Sequence, residues 1–199
     1  MYNVLELCLE EAATGVTSVE TEKVFYASID SGYVLSKAAE KEHQEQYQIV
    51  IPKGDLNIQG GRIRVRATTK DGGETEYVLT FKTKAEDGEN ETSQLVSKDI
   101  FEQVRLLASN GMIKTRYFFP IEGREERWEV DVFKIQEGYH KDKQANWCKI
   151  DYEFIDKTNR EIPPFPDGFS DIIAGDTVDP EEKEFIRSLY EDIFITKMV

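Results

Sequence analysis

"GGRIRVRATTKDGGETEYVLTFKTK" (residues 60–84) decides the reading of this chain. Arg62, Arg64 and Arg66 alternate with Ile63, Val65 and Ala67, and Thr80, Lys82 and Lys84 alternate with Leu79 and Phe81. Side chains two apart on a strand share a face. The Asp71-Gly72-Gly73 turn between the two runs is a hairpin signal. The stretch therefore predicts a β-hairpin with one apolar face and one cationic face.

The chain around it is acidic: 199 residues carry a formal net charge of −14. That mean field repels nucleic acid and anionic membranes, so any bound anion needs a local positive pocket. With 11 Phe, 9 Tyr and 2 Trp, the composition suits a folded core; the length suits one domain, or at most two small ones, and a single domain over 1–199 is expected. Cys8 and Cys148 are too few for a disulfide framework and fit a reducing cytoplasm. The opening "MYNVLELCLEEAATG" lacks a basic n-region, and no run approaches membrane-spanning length.

Outward from the hairpin, further strands are expected at "VETEKVFYASI" (19–29), "YQIVIP" (47–52), "MIKTRYFFPI", "RWEVDVFKI" and "NWCKIDYEFI". A looser alternation over 4–9 allows a short strand or a helix. The helix formers of "SGYVLSKAAEKEHQEQ" (31–46) predict a charged helical segment. A helix over about 98–109 is capped by Ser97, buries Ile100, Phe101, Val104, Leu107 and Ala108, and stops at Asn110-Gly111. Asp179 and Pro180 open a last helix reaching about 195. Seven or eight mostly antiparallel strands with two or three helices outside predict an α+β fold whose sheet closes or curves strongly, removing exposed edges.

Parity assigns the charges. Lys114 and Arg116 share a face with Phe118. Glu129 and Asp131 oppose Trp128, Val130 and Val132. Lys149, Asp151 and Glu153 oppose Cys148, Ile150, Tyr152 and Phe154, and Glu20 and Glu22 stand together. Such faces commonly look at solvent, but here the signs segregate by strand, as a polar tunnel lining would require. Arg62, Arg64, Arg66, Lys82, Lys84, Lys114 and Arg116 suit a compact polyanion, since guanidinium groups grip phosphate oxygens in pairs. The paired carboxylates suit a hard divalent cation such as Mg²⁺ or Mn²⁺. Glu91 stands out in "EDGENE" (86–91), an expected loop, because the following strand could bring it to the tunnel mouth. His43 and His140 read as surface residues. Cys148 reads as packed rather than nucleophilic.

The succession "VETEKVF", "GRIRVR", "YVLTFKTK", "IKTRYFF", "RWEVDVF" and "CKIDYEF", closed by "PPFPDGFSDIIAGDTVD", resembles the triphosphate tunnel metalloenzymes, or CYTH superfamily. The resemblance implies a closed eight-stranded antiparallel β-barrel, a tunnel, with flanking helices. It implies metal-dependent hydrolysis of inorganic tripolyphosphate or a nucleoside triphosphate. Alternatives are a class IV-like adenylate cyclase making cyclic AMP from ATP, or a non-catalytic polyphosphate-binding protein. It further implies that Glu20, Glu22, Glu129, Asp131, Asp151 and Glu153 bind metal, with Glu129, Asp131 and Glu20 catalytic. Arg62, Arg64, Lys82 and Arg116 would hold phosphates, supported by Arg66, Lys84 and Lys114. One departure stands out. The family signature is Glu-x-Glu-x-Lys, but Lys23 comes one place early and on a regular strand faces the other way. A bulge, or another cation such as Lys149, could compensate.

Overall fold

A computed structural model of the chain describes residues 16–19, 22–29, 35–51, 61–85, 88–134, 146–155, 161–193 and 195–196. The candidate segment 4–9 lies outside them. The chain divides into two compact units. The first comprises Met1–Glu20, Gln44–Met112 and Ile195–Val199; the second comprises Thr21–His43 and Ile113–Phe194.

In the first unit, the hairpin forms as its sequence requires. Strands β4 (Gly61–Lys70) and β5 (Thr75–Ala85) pair antiparallel, with Arg62 opposite Lys82 and Arg64 opposite Thr80. Gly72 takes a φ of 69° in the turn, and the Gly73 amide donates to the Lys70 carbonyl at 2.9 Å. That left-handed position suits glycine. Strand β6 (Gly88–Leu95) adds beside β5, and β1 (Val16–Val19) beside β6. Residues 88–91 are therefore strand and not the expected loop; their pairing with β5 satisfies backbone groups that a loop would leave to water.

Ile63, Val65, Ala67 and Leu79 form the buried core of this unit with Phe101 and Val104 of helix α1 (Lys98–Leu107). The Ser97 hydroxyl accepts from the Ile100 amide at 3.3 Å, as its N-cap role requires. Leu107, expected inside, is exposed at the frayed end, whereas Ala108 is buried.

Of the helix expected over 31–46, the described residues 35–46 do not form one. Leu35–Lys37 make one 3₁₀ turn, and strand β3 runs over Glu40–Ile51. Tyr47, Ile49 and Ile51 recur at period two and join the core of the first unit. The strand expected at 47–52 is thus present and begins earlier, its continuous run outweighing helix propensities of about 0.7 kcal/mol or less per residue over 40–46.

The second unit orders its strands β7 (Asn110–Pro120), β8 (Arg127–Phe133), β9 (Trp147–Glu153), β2 (Glu22–Ile29) and β10 (Phe169–Ala174). Its core centres on Trp128, which stacks on Phe165 at 4.7 Å and 21° and donates its indole N–H to the Pro164 carbonyl at 3.3 Å. Val130, Ile150 and Tyr152 surround it. The final helix, α2 (Pro180–Ile193), opens as expected: Asp179 Oδ1 accepts from the amides of Glu181 at 2.8 Å and Glu182 at 3.1 Å. The sheet is mostly antiparallel, but the expected eight-stranded closed barrel is not what the described residues form. Among the described residues eleven strands are present, including the short β11 (Ile195–Thr196) on β7. Among these residues the strand path is open, since β1 pairs only with β6 and β10 only with β2.

Candidate functional site

Parity holds on both charged faces, and neither face is simply solvated. In the first unit Arg62, Arg64 and Arg66 are half-buried on the side opposite Ile63 and Val65. Glu91, on β6 opposite Lys82, is buried among them. Its carboxylate accepts from Arg64 at 3.2 Å and from the Ser93 hydroxyl at 3.1 Å, and pairs with Lys82. Burial alone would raise the Glu91 pKa, but Lys82 and Arg64 overcome it and hold the carboxyl below its ordinary range. Arg66 Nε is buried with no hydrogen-bond partner among the described residues. Lys84 is placed by the β5 ladder opposite Glu89, and its side chain lies outside the described ones.

In the second unit a denser network occupies β7, β8 and β9. Register sets Arg116 opposite Asp131, Asp131 opposite Lys149, and Glu129 opposite Asp151. The Arg116 guanidinium grips Asp131 with two bonds, Nε to Oδ1 at 2.7 Å and Nη2 to Oδ2 at 2.8 Å. It also donates to Glu129, and to Asp151 at 3.3 Å. Lys114 donates to Asp131, and Lys149 holds Asp151 at 2.6 Å. Asp131 is fully buried, with 0% exposure.

The electrostatics follow from these contacts. Burial would raise the Asp131 pKa, yet Lys114 and Arg116 hold it well below the usual carboxylate range. Burial pushes the Lys114 ammonium down to about 8 against the pull of Asp131. Lys149 moves the other way, because Asp151 and Asp131 outweigh its desolvation.

This network decides the fit of a metal. Three cations, Lys114, Arg116 and Lys149, stand against three carboxylates, Glu129, Asp131 and Asp151, and each carboxylate already holds a cation. Among the described residues no group of three or more His, Cys, Asp or Glu could hold a metal ion. Glu22 and Glu153 face each other across β2 and β9 but are exposed. Glu20 lies outside the described residues. Oxygen donors of the right kind are therefore present, and among the described residues each inner carboxylate is paired with a cation rather than grouped around an ion site. The reason is that register places a cation beside each inner carboxylate.

Strand β2 pairs with β9 without a bulge from Glu22 to Ser28. Lys23 thus faces the side of Phe25 and Ala27, and its ammonium pairs with Asp176 at 2.5 Å, both side chains largely exposed. On the charged side the β2 residue opposite Lys149 is Tyr26, whose hydroxyl bonds that of Tyr190 on α2 at 2.6 Å. Sequence reading named Lys149 only as a substitute cation, and Tyr26 not at all. Cys148 is buried, donates to the Ala27 carbonyl at 3.5 Å, and has its thiol pKa pushed up by burial to about 12. His43 is exposed. No helix among the described residues is long and apolar enough to cross a membrane.

Alternating charged and apolar strand faces in an antiparallel sheet define the class, and the family follows from comparison. The CYTH domain matches residues 16–165, and the chain belongs to that family. A comparison with curated proteins finds no match. Among solved structures it is similar to the inorganic triphosphatase NE1496, with 20% identity over 80% of this chain and 89% of that one and a TM-score of 0.44. The PH1819 protein of Pyrococcus horikoshii OT3 aligns at 14% identity over 89% of this chain and 95% of that one, with a TM-score of 0.45. HpAC1 of Hippeastrum, described as having a dominant triphosphatase activity, aligns at 12% over 90% and 92%, with a TM-score of 0.38.

Proposed function

We propose that this protein binds a triphosphate, inorganic or nucleoside, and hydrolyses a phosphoanhydride bond. The observation carrying the reading is the half-buried row of Arg62, Arg64 and Arg66 on β4 with Lys82 opposite on β5. Cations packed on a strand face at this density are costly unless an anion or carboxylate meets them. CYTH membership supports a triphosphate as that anion. Lys84 on β5 shares that candidate role within the first unit, and Lys114 and Arg116 are phosphate-gripping candidates of the second unit by itself. The triphosphate is proposed to be taken with Mg²⁺ or Mn²⁺, hard ions suited to phosphate and carboxylate oxygens, with Glu20, Glu22, Glu129, Asp131, Asp151 and Glu153 kept as the candidate carboxylates.

In the reaction, guanidinium groups neutralise charge on the phosphate oxygens and hold the chain of phosphates for in-line attack by water. Glu129 is the carboxylate proposed to orient that water. Asp131, fully buried and held by Lys114 and Arg116, fixes those two cations instead. Glu20 is kept as a further candidate for that role. A second reading is favoured by Lys23, which pairs with Asp176 away from the charged side: a polyphosphate-binding protein without turnover.

The test is release of orthophosphate from tripolyphosphate, ATP and pyrophosphate with Mg²⁺ or Mn²⁺. Orthophosphate from a triphosphate, with KM raised about tenfold or more in Arg64→Ala, is the expected result. Pyrophosphate with cyclic AMP from ATP would identify a cyclase. Metal-independent binding without turnover would establish the second reading. Unchanged triphosphate affinity in Arg62→Ala and Arg64→Ala would sink both.

A further inference from the structure

We propose that the cleft between β10 and α2 docks a basic polypeptide segment of a partner protein, with an arginine of that segment lying against the Trp147 and Phe185 rings. The site stands apart from the triphosphate reading: its charge has the opposite sign, and its walls are β10, α2 and the first residue of β9.

The cleft is apolar in its walls. It has a volume of about 430 Å³, room for one long side chain, and Trp147, Ile172, Ile173 and Phe185 line it. The two rings meet edge to face with centroids 4.5 Å apart, so each fixes the other. Ile172 remains 39% exposed. On a regular strand Asp171, Ile172 and Ile173 would alternate between two faces. Here the register of β10 on β2 shifts between Ser170 and Ile173, and Asp171 takes a φ of 50°. An irregularity of this kind re-aims side chains, and all three of these neighbours line the one cleft.

Charge selects the occupant. Asp171 and Glu182 stand at the cleft, and neither makes an ion pair among the described residues; the Glu182 carboxylate accepts from the Thr177 hydroxyl. By contrast Glu91, Glu129, Asp131 and Asp151 each meet a cation. Residues 167–184 around the cleft hold seven acidic side chains against one basic, Lys183. The first amides of α2 would repel a cation, but Asp179 accepts from two of them. The complement is a positive head on an apolar stem. A guanidinium stacks on aromatic faces and meets a carboxylate with a planar fork, which favours arginine. A segment with further basic residues meets the acidic rim as well as the cleft, which one small cation cannot do.

The test titrates the full chain with the blocked, fluorescein-labelled peptide Arg-Leu-Arg-Arg, read by anisotropy at about 0.15 M salt, where distant charges are screened. The double variant Asp171→Asn, Glu182→Gln is expected to bind it about tenfold more weakly than wild type. Both changes preserve local structure, since Asn tolerates the left-handed backbone as Asp does and Gln can replace Glu in a helix cap. Trp147→Leu and Phe185→Leu are each expected to weaken binding about threefold or more. The double variant Glu74→Gln, Glu76→Gln removes two exposed charges of the first unit and is expected to stay within about twofold of wild type.

The proposal is overturned if wild type does not bind the peptide, or if the folded Asp171, Glu182 double variant binds it as tightly as wild type. It is equally overturned if the Glu74, Glu76 control loses as much, which would leave mean charge as the cause. Argininamide binding as tightly as the peptide would assign the cleft to a small cation instead. Unchanged binding in both folded ring variants would remove the aromatic seat. The charge and ring arms are independent, so a ring variant that fails to fold leaves the charge variant to decide. Orthophosphate release judges the triphosphate reading separately.

Discussion

Replacing Arg116 with Met tests whether the β7–β9 network is charge-balanced. The wild-type face sets Lys114, Arg116 and Lys149 against Glu129, Asp131 and Asp151. Arg116→Met leaves two cations for three carboxylates, one of them fully buried. Removing one partner of a buried pair costs about 3–5 kcal/mol, because the remaining charge is left uncompensated. Adding Asp131→Asn restores the balance at two against two. The double variant is then expected to be more stable than the sum of the single effects by about 1–3 kcal/mol. Urea unfolding followed by tryptophan fluorescence suits the measurement, since both tryptophans of the chain, Trp128 and Trp147, belong to the unit that contains the network. A loss under about 1 kcal/mol in Arg116→Met would place the group in solvent-like surroundings and refute the reasoning. So would strict additivity, which would mean Arg116 and Asp131 do not depend on each other.

Three further expectations follow from single contacts. Gly111→Ala would put a Cβ 2.3 Å from Tyr47 Cδ1; a loss of about 1–3 kcal/mol in urea unfolding is expected, and wild-type stability would show the approach is looser. The Cys148 thiol, buried and shifted from 9.0 to about 12, should resist a thiol reagent at pH 8 until urea unfolds the chain. Its sign with pH is also fixed: the raised value contributes stability below about pH 9 that is lost as pH climbs toward 12. Prompt labelling of the folded protein would contradict its burial. Lys23→Met removes an exposed pair with Asp176, so stability should change by less than about 1 kcal/mol; a larger loss would mean the pair is shielded from water.

What the sequence made legible is whatever depends on local pattern. Alternation on β4 and β5 placed Arg62, Arg64 and Lys82 on one side and Ile63, Val65 and Leu79 on the other, and the structure keeps that division. Caps behave likewise, since Ser97 and Asp179 act within three residues of themselves. Strand β3 was legible only in part: the strand expected at 47–52 is present over Tyr47–Ile51, whereas Glu40–Gln46 are helix formers individually and hide its first half. Strand β10 was missed because Ser170 and Asp171 interrupt its apolar run at a register shift, where Asp171 takes a φ of 50°. Gly111 was read as a helix stop, yet its place is in β7, where the Tyr47 ring comes too close for a side chain.

The candidate site was legible by face and illegible by partner, and the difference is physical. Parity tells which side a residue takes, but cross-strand register decides which residue it meets. From sequence, seven cations looked like a positive pocket awaiting an anion, and the carboxylates a separate set awaiting a metal. Register instead sets Arg116 across from Asp131, Asp131 across from Lys149, and Lys82 across from Glu91. Cations and carboxylates therefore neutralise each other before any ligand arrives. That accounts for Arg64, Lys82, Lys114, Arg116 and Lys149 on half-buried strand faces in a chain of net charge −14: each of these five meets an internal carboxylate at close range, where long-range repulsion or attraction counts for little. An incoming polyanion then gains only the difference between its own oxygens and the carboxylates it replaces. On the proposed reading, selectivity would follow from the same difference: a triphosphate would take over several such positions at once, whereas a single phosphate would replace one carboxylate with little gain.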